Sequence, residues 1–217
     1  MEIDPGPLSI RDRYKLLIGC IVPRPIAWVS TLSPQGRENL APFSFFCGVG
    51  SNPLTLAFCP ANTADGSEKD TLRNAKPVSD GGTGEFVVSV VSEPLARQMA
   101  ACAEELPYGE SEFDLASLGR APSRVVKPPR VRASPVAFEC RTLQVIRTNP
   151  GAPSGGNIVL GEVVHIHVDD SVISERLHTD PDKLAAIGRM GGLGYCLTRD
   201  RFEMPMGRGA LEIEPIR

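Results

Sequence analysis

Closely spaced cysteines are missing from this sequence. It has six cysteines and three histidines in 217 residues, and no two cysteines are separated by only two positions. Structural zinc sites draw on closely spaced cysteines and histidines, so no metal site is expected. Apolar residues flank the cysteines, which predicts buried free thiols in a reducing cytosol. The cysteines are Cys20, Cys47, Cys59, Cys102, Cys140 and Cys196.

Signals for membranes, export and nucleic acid are also missing. No run approaches the roughly 20 apolar residues that a membrane helix needs. Residues 1–5 are acidic and contain a proline, which is not typical of a signal peptide. The formal net charge is -3, and charges of both signs are interspersed, whereas a nucleic-acid-binding surface is strongly basic. We therefore expect a cytoplasmic protein that binds neither membranes nor nucleic acid.

The common glycine-rich nucleotide-binding loops are absent as well. A Rossmann fingerprint must follow a strand and open a helix, and the nearest approach, Gly82-Thr83-Gly84, precedes a strand instead. No phosphate-binding loop with the terminal Gly-Lys pair is present, and no serine lies in the glycine-flanked elbow of a hydrolase. The sequence therefore predicts no Rossmann dinucleotide site.

Glycine and proline, by contrast, are abundant. The 21 glycines and 20 prolines make up nearly a fifth of the chain, where about 12% is usual. They are spread along the sequence, which predicts many turns between short elements and therefore a β-rich fold. We expect one domain over residues 1–217, a mainly antiparallel, closed or half-closed β-barrel with Greek-key-like connections and a few short helices.

Periodicity and turn residues place the individual elements. We expect helices at residues 9–21, 67–76 and 93–103. We expect strands at residues 26–32, 37–46, 54–59, 85–91, 136–148 and 158–168. The stretches 106–129 and 149–156 are rich in proline and glycine, and long loops within a compact domain are usually functional.

Residues 22–46 predict a stiff β-hairpin. Pro23 and Pro25 precede its first strand, a Ser-Pro-Gln-Gly turn follows at residues 33–36, and Pro42 lies in the second strand. Prolines remove donors from the strand ladder and fix the backbone. We expect free backbone amides and small hydroxyls near one edge, which would suit a flat polar ligand.

Residues 67–71, Ser-Glu-Lys-Asp-Thr, are the best candidate for an anion site. We expect Ser67 to cap a helix and Asp70 to complete a capping box. A helix N-terminus beside a lysine and a threonine favours a phosphate. An ordinary capped surface helix explains the same pattern. Because the Asp70 carboxylate would repel a phosphate, we expect it to face the helix backbone or a ligand hydroxyl.

Five segments taken together resemble the flavin reductase-like family of FMN-binding split β-barrels. The first reads R-P-I-A-W-V-S-T and the second N-L-A-P-F-S-F-F. A third reads K-D-T-L-R-N, and the later two contain G-E-V-V and G-R-M-G-G. The five segments are residues 24–31, 39–46, 69–74, 161–170 and 188–195, in the order of the family.

The resemblance implies a homodimer with FMN bound near the subunit interface, and FAD stays the less favoured alternative. It implies that the isoalloxazine ring contacts residues 27–30 and 41–44, and that the phosphate meets Ser67, Lys69 and Thr71, with Arg24 as a further contact. The cofactor-binding residues expected on this basis are Arg24, Pro25, Ile26, Ala27, Trp28, Val29, Ser30, Asn39, Ala41, Pro42, Ser44, Ser67, Lys69, Asp70, Thr71 and Arg189.

Four of the side chains keep two interpretations each. Trp28 is either a core residue or a platform for the flavin. Arg189 either closes the site or stabilises the dimer. His165 and His167 alternate along one strand and so face the same side. They lie either on a solvated strand face or beside the nicotinamide or flavin, where they are the only catalytic candidates.

The leading functional hypothesis is an NAD(P)H-dependent flavin reductase. In such an enzyme the flavin takes the hydride and the protein supplies position and local charge. Free flavin, a partner oxygenase or another acceptor would receive the electrons. A second hypothesis is a flavoredoxin-like FMN carrier with a protein redox partner, and a third is a flavin-binding fold without a redox role. The sequence distinguishes neither NADH from NADPH nor one acceptor from another.

Overall fold

The computed structural model describes residues 1–107 and 109–213. At its N-terminus, helix α1 (Ile10–Cys20) begins after Ser9, whose side chain accepts a hydrogen bond from the Asp12 N–H. This cap satisfies one of the N–H groups that a helix start leaves unpaired. It confirms the helix predicted for residues 9–21.

The other helices and strands follow the predicted order, with several short additions. The strands are β1 (Ala27–Leu32), β2 (Glu38–Phe43), β3 (Phe46–Ser51), β4 (Leu54–Phe58), β5 (Glu85–Val90), β6 (Arg120–Ala121), β7 (Arg130–Val131), β8 (Val136–Arg147), β9 (Asn157–Val168), β10 (Ile187–Arg189) and β11 (Tyr195–Leu197). The helices after α1 are α2 (Asp70–Ala75), α3 (Ala96–Ala101), α4 (Glu112–Leu115) and α5 (Pro181–Leu184).

Seven strands form one antiparallel sheet in the order β2-β1-β5-β8-β9-β4-β3. The long strands β8 and β9 pair from Val136–Val168 to Arg147–Asn157, which confirms the two strands predicted there. Apolar side chains from β1, β2, β4, β5, β8 and β9 pack in one cluster, so the sheet curls around a common interior. The outer strands β2 and β3 border the opening of this half-closed barrel.

The strand predicted for residues 37–46 is wrong in its last three residues, and the sequence does not predict strand β3. β2 ends at Phe43, and β3 begins at Phe46 and pairs with β4 instead of with β1. The sequence of β3 contains Gly48 and Gly50, which have low β-strand propensity. The sequence therefore predicts β4, the partner of β3, but does not predict β3 itself.

Alternate residues of β1 face two different cores. Ala27 and Val29 pack inside the barrel with Phe58, whereas Trp28 faces the opposite side and packs with Met99. This is the period of two that a strand imposes on its side chains. Trp28 has no exposed surface, so the structure places it in the core.

The predicted capping box at residues 67–70 is wrong. Helix α2 begins at Asp70, and its N-cap residue Lys69 makes no side-chain capping bond. The Ser67 hydroxyl instead donates to Asp65 Oδ1 at 2.7 Å, because the preceding loop forms its own turn. Asp70 Oδ1 accepts from Arg73 Nη1 at 2.9 Å.

Two further segments refine the predicted loops and helices. A 3-10 turn at Glu93–Leu95 leads into α3, which confirms the helix predicted from residue 93. Within the stretch 106–129, for which the sequence predicts a loop, residues 112–115 form α4 and residues 120–121 form β6, which pairs with β7. In the described part of the chain, no helix combines the length and apolar character needed to cross a membrane.

Candidate functional site

A cavity of about 340 Å³ lies between β2, α2 and the segment that follows α3. Its volume is at the small end of the range for ligand sites. Apolar residues of β2, charged residues around α2 and one residue of α4 surround it. The lining residues are Asn39, Ala41, Pro42, Phe43, Thr63, Ser67, Glu68, Lys69, Asp70, Thr71, Arg73, Cys102, Ala103, Glu104, Glu105, Leu106 and Glu112.

Three buried polar side chains, Asn39, Thr71 and Glu112, form what we call the cavity floor. Their exposed fractions are 8%, 1% and 7%, respectively. Asn39 Nδ2 donates to Thr71 Oγ1 at 2.9 Å. A threonine hydroxyl carries one proton and can also accept. The Thr71 hydroxyl therefore accepts from Asn39 and can direct its own proton to a ligand acceptor.

Glu112 ties the floor to the outer edge of β2. Its Oε2 accepts a hydrogen bond from the Leu40 N–H at 2.7 Å, which satisfies a backbone donor on the side of β2 that faces away from β1. Burial raises the pKa of the Glu112 carboxyl, and the Leu40 N–H opposes that rise. No sequence motif points to Glu112, because it lies in the stretch 106–129, where prolines and glycines interrupt any periodic pattern.

Two ion pairs stand at the mouth of the cavity. Lys69 Nζ lies 3.1 Å from Glu105 Oε1, and Arg73 Nη1 lies 2.9 Å from Asp70 Oδ1. These side chains are partly exposed, and exposed ion pairs contribute little to stability. A bound anion can therefore replace a carboxylate as the partner of Lys69 at small cost.

Glu68 holds the segment before α2 in place. It pairs with Lys76 at 2.9 Å and with Arg147 at 2.7 Å. Burial raises the pKa of Glu68, but hydrogen bonds from Lys76 and Arg147 outweigh it and keep the pKa below its usual value. The loop that carries Ser67 and Lys69 is thus anchored to the end of β8.

The structure brings together both sequence segments that predicted the ligand's surroundings. One comes from β2 and the other from the start of α2, and seven of the expected cofactor residues line the same cavity. They are Asn39, Ala41, Pro42, Ser67, Lys69, Asp70 and Thr71. Their contact with a cofactor stays a prediction.

The first strand of the hairpin does not reach the cavity. Ala27, Trp28, Val29 and Ser30 have no exposed surface, and β1 pairs with β2 on one side and β5 on the other. The free backbone amides expected near one edge of the hairpin are therefore not on β1, which is paired on both sides. On the outer edge of β2, the Leu40 N–H is occupied and Pro42 has none. Ile26, also expected at the flavin, is buried in the same apolar cluster as Trp28 and Met99.

Arg24 is occupied by structural contacts away from this cavity, and its expected contact with the phosphate stays a prediction. Its Nη1 donates to the carbonyl oxygens of Ile18 and Ile21, both at 2.6 Å. Its Nη2 donates to the Met190 carbonyl at 3.0 Å, and its Nε donates to Ser44 Oγ at 3.2 Å. Burial lowers the pKa of Arg24. The guanidinium thus joins α1 to the chain before β1 and to β10.

Three other expected site residues lie with Arg24 rather than at the cavity. Pro25 is exposed beside it, and Ser44 accepts its hydrogen bond. Arg189 pairs with Arg24 through the backbone and stacks on the Tyr195 ring at 4.5 Å. Arg189 also donates to the Gly192 carbonyl at 2.7 Å, so in this chain it shapes the β10–β11 turn.

The two histidines lie on β9, outside the cavity. His165 Nδ1 is 3.3 Å from Glu139 Oε1, and His167 is opposite Ala137 on β8. Burial and the nearby Arg130 lower the pKa of His167. The structure does not join either histidine to the other expected site residues.

The cysteines are free thiols in mixed surroundings. Cys102 and Cys140 are buried, Cys59 and Cys196 are partly buried, and Cys20 and Cys47 are exposed. The prediction of burial is thus wrong for Cys20 and Cys47, whose apolar neighbours lie on the surface of α1 and β3. Burial raises the pKa of the Cys102 thiol to about 12, which keeps it protonated at the edge of the cavity.

The family of this fold is decided by a match to a known domain. A model of the flavin reductase like domain matches residues 18–188. The chain belongs to this family. Membership places it among flavin-related oxidoreductases, and the predicted split β-barrel with a few short helices is confirmed.

Known relatives cover nearly the whole chain of this flavin reductase-like protein. An uncharacterised protein of Deinococcus radiodurans is 43% identical over 199 residues, which are 88% of this chain and 83% of that protein. The structure of nitrilotriacetate monooxygenase component B from Bacillus cereus has a TM-score of 0.86 and 32% identity, covering 94% of this chain and 98% of that one. The structure of the 2-nitrobenzoate 2-nitroreductase NbaA of Pseudomonas fluorescens has a TM-score of 0.82 and 29% identity, covering 96% and 97%.

Proposed function

We propose that this chain is an FMN-dependent oxidoreductase that takes a hydride from NAD(P)H and passes the electrons to a further acceptor. The observation that carries the proposal is the cavity, where β2 and the start of α2, two segments typical of the family, meet. The likeness to a monooxygenase component B favours a partner oxygenase as the acceptor.

The side chains around the cavity fit one end of a flavin nucleotide. Thr71 offers a buried hydroxyl proton, and Lys69 offers a positive charge at the rim. A phosphate can accept hydrogen bonds from both of these groups. Ala41, Pro42 and Phe43 give an apolar wall against which the less polar part of the nucleotide can pack. On this basis we assign the phosphate end to Lys69 and Thr71, and the family resemblance leads us to propose FMN as the cofactor.

The residues of the chain would bind and orient, while the cofactor does the redox chemistry. When bound, FMN would accept the hydride and release electrons to the acceptor. Breaking the carbon–hydrogen bond in this way needs no acid or base from the protein. The position of His165 and His167 outside the cavity therefore does not weaken the proposal.

An anaerobic titration tests the proposed function. The purified protein, reconstituted with FMN and freed of excess, should be yellow, and NADH or NADPH should bleach it without oxygen. Comparison of the two nicotinamides would also give the preferred donor. A protein that cannot be reconstituted with FMN would contradict the cofactor assignment. A yellow protein that neither nicotinamide bleaches would instead support an FMN carrier that receives electrons from a protein.

The proposal includes the expected assembly and location. We propose that residues 1–217 act as one domain in a cytoplasmic homodimer. The exposed apolar side chains of α1, among them Leu16 and Leu17, and of β3, with Val49, support an interface on that side. Arg24 brings the two elements together, because it donates to the Ile18 and Ile21 carbonyls of this helix region and lies 5.9 Å from the centre of the Phe45 ring, next to β3.

A further inference from the structure

Glu112 is a buried acidic group that the proposed function leaves without a role. It lines the cavity, and only 7% of it is exposed. One of its oxygens accepts from the Leu40 N–H. An ionised carboxylate has about four acceptor positions on its two oxygens. Glu112 therefore has acceptor capacity left on the floor of a ligand-sized cavity.

The chemistry of a carboxylate restricts which part of a ligand can contact it. An ionised carboxylate accepts hydrogen bonds and repels a phosphate. The ligand group beside Glu112 must therefore be a donor, such as a hydroxyl. Lys69 lies at the rim and Thr71 lies on the floor, so a phosphate held between these two donors leaves the floor beside Glu112 for the adjoining part of the molecule.

We propose that Glu112 accepts a hydrogen bond from a hydroxyl of the ribityl chain, and so selects flavins that carry this polyol. In FMN the ribityl chain adjoins the phosphate, and its hydroxyls are the donors nearest to it. Thr71, on the same floor, supplies the matching donor for an acceptor of the same chain or phosphate. This inference rests on the proposed function, because it assumes that the cavity takes a flavin.

Riboflavin and lumiflavin test the proposal without the phosphate. They share the isoalloxazine ring, but only riboflavin has the ribityl chain. Binding to the intact protein and to Glu112→Gln is measured by the quenching of flavin fluorescence. Because a charged acceptor makes a stronger hydrogen bond than a neutral one, Glu112→Gln should weaken riboflavin binding about fivefold. Lumiflavin binding should change by less than about twofold, since its ring does not meet this residue.

The matched control is Glu110→Gln. It removes an exposed carboxylate two residues away that does not line the cavity, and both flavins should bind it as they bind the intact protein. Equal weakening of riboflavin and lumiflavin in Glu112→Gln would overturn the proposal, and so would unchanged binding of both. A natural protein that binds neither FMN nor riboflavin would overturn the proposed function itself.

A comparison with the natural protein alone keeps the proposal testable if Glu112→Gln does not fold. A flavin with a plain pentyl chain in place of ribityl has the same length and no hydroxyls. Without the charged hydrogen bond, it should bind about tenfold more weakly than riboflavin. Equal affinity for the two flavins would show that no group in the cavity recognises the polyol, and the proposal would be wrong.

Discussion

At the residue scale, the partners of each polar side chain decide which residues can take part in binding. Thr71 and Arg24 are both almost completely buried, but their situations are opposite. Thr71 accepts one hydrogen bond and keeps its own proton for another partner. Arg24 donates hydrogen bonds to three backbone carbonyls and to the Ser44 hydroxyl. Thr71 is therefore suited to a ligand, whereas Arg24 is suited to holding α1 in place.

Loss of the proposed phosphate contacts should weaken FMN binding. The double variant Lys69→Ala with Thr71→Ala removes a charge and a buried hydroxyl, and hydrogen bonds to charged groups contribute about 1.5–3 kcal/mol each. We expect FMN affinity, measured by fluorescence titration, to fall by more than about tenfold. Riboflavin affinity should fall less, because riboflavin lacks the phosphate.

The control for this prediction is Lys183→Ala. It removes an exposed lysine on α5 that pairs weakly with Asp180 at 3.8 Å, outside the cavity. FMN affinity should not change in this variant. If the double variant also binds FMN with unchanged affinity, the phosphate does not lie between Lys69 and Thr71.

Two variants of Trp28 test whether this residue contributes to the stability of the fold or to FMN binding. It is fully buried among Leu40, Met99 and Phe113, so Trp28→Ala should destabilise the fold by about 3–5 kcal/mol in urea unfolding. Trp28→Phe keeps an aromatic core side chain and should bind FMN as tightly as the natural protein. A large loss of FMN affinity in Trp28→Phe, with the fold intact, would instead make Trp28 part of the flavin site.

At the element scale, one buried carboxylate holds the chain before β7 against β8. Glu139 accepts hydrogen bonds from the N–H groups of Arg124, Val125 and Val126 at 2.7–3.2 Å. Burial raises the pKa of Glu139, but the three N–H donors and the nearby His165 outweigh it, so the pKa lies below its ordinary value of 4.5. The ionised form therefore contributes to the stability of the folded state.

This carboxylate predicts a loss of stability in acid. Because the folded pKa is lowered, the contribution is present above pH 4.5 and is lost as the pH falls through the folded value. In urea unfolding at pH 7, Glu139→Gln should be less stable than the natural protein. When the pH is lowered from 7 to below 4.5, Glu139→Gln should lose less stability than the natural protein loses. Glu175→Gln, an exposed control, should follow the natural protein, and identical pH curves for all three would contradict the role of Glu139.

At the scale of the whole molecule, exposed apolar side chains on α1 and β3 predict self-association. One chain has a mass of 23.3 kDa, so light scattering should give twice this mass. Val49→Asp places a charge on the exposed face of β3 and should shift the protein toward the mass of one chain, because burying an unpaired charge is costly. Val78→Asp, an exposed valine after α2, is the control and should leave the mass unchanged. A single-chain mass for the natural protein would contradict the homodimer.

The sequence predicted those elements whose patterns are local. The cap at Ser9 and the two long strands β8 and β9 follow from capping and β-branched runs. The turn at residues 33–36, where the Gly36 N–H donates to the Ser33 carbonyl at 2.8 Å, follows from its turn residues. Strand β3 was missed because its glycines weaken the pattern, and its pairing with β4 supplies what its sequence does not. The predicted capping box does not form, because the Ser67 hydroxyl donates its hydrogen bond to Asp65, which lies only two residues away in the chain.

The sequence by itself determined the family, the mainly β fold and the two segments that meet at the cavity. These depend on the order and type of residues along short stretches of chain. Only the tertiary structure decided which of those residues face the cavity. β1 lies between two other strands, so its residues are buried although they belong to the most recognisable segment. Glu112 reaches the floor through a contact with Leu40, 72 residues away in the chain, and no local pattern encodes a contact of that range.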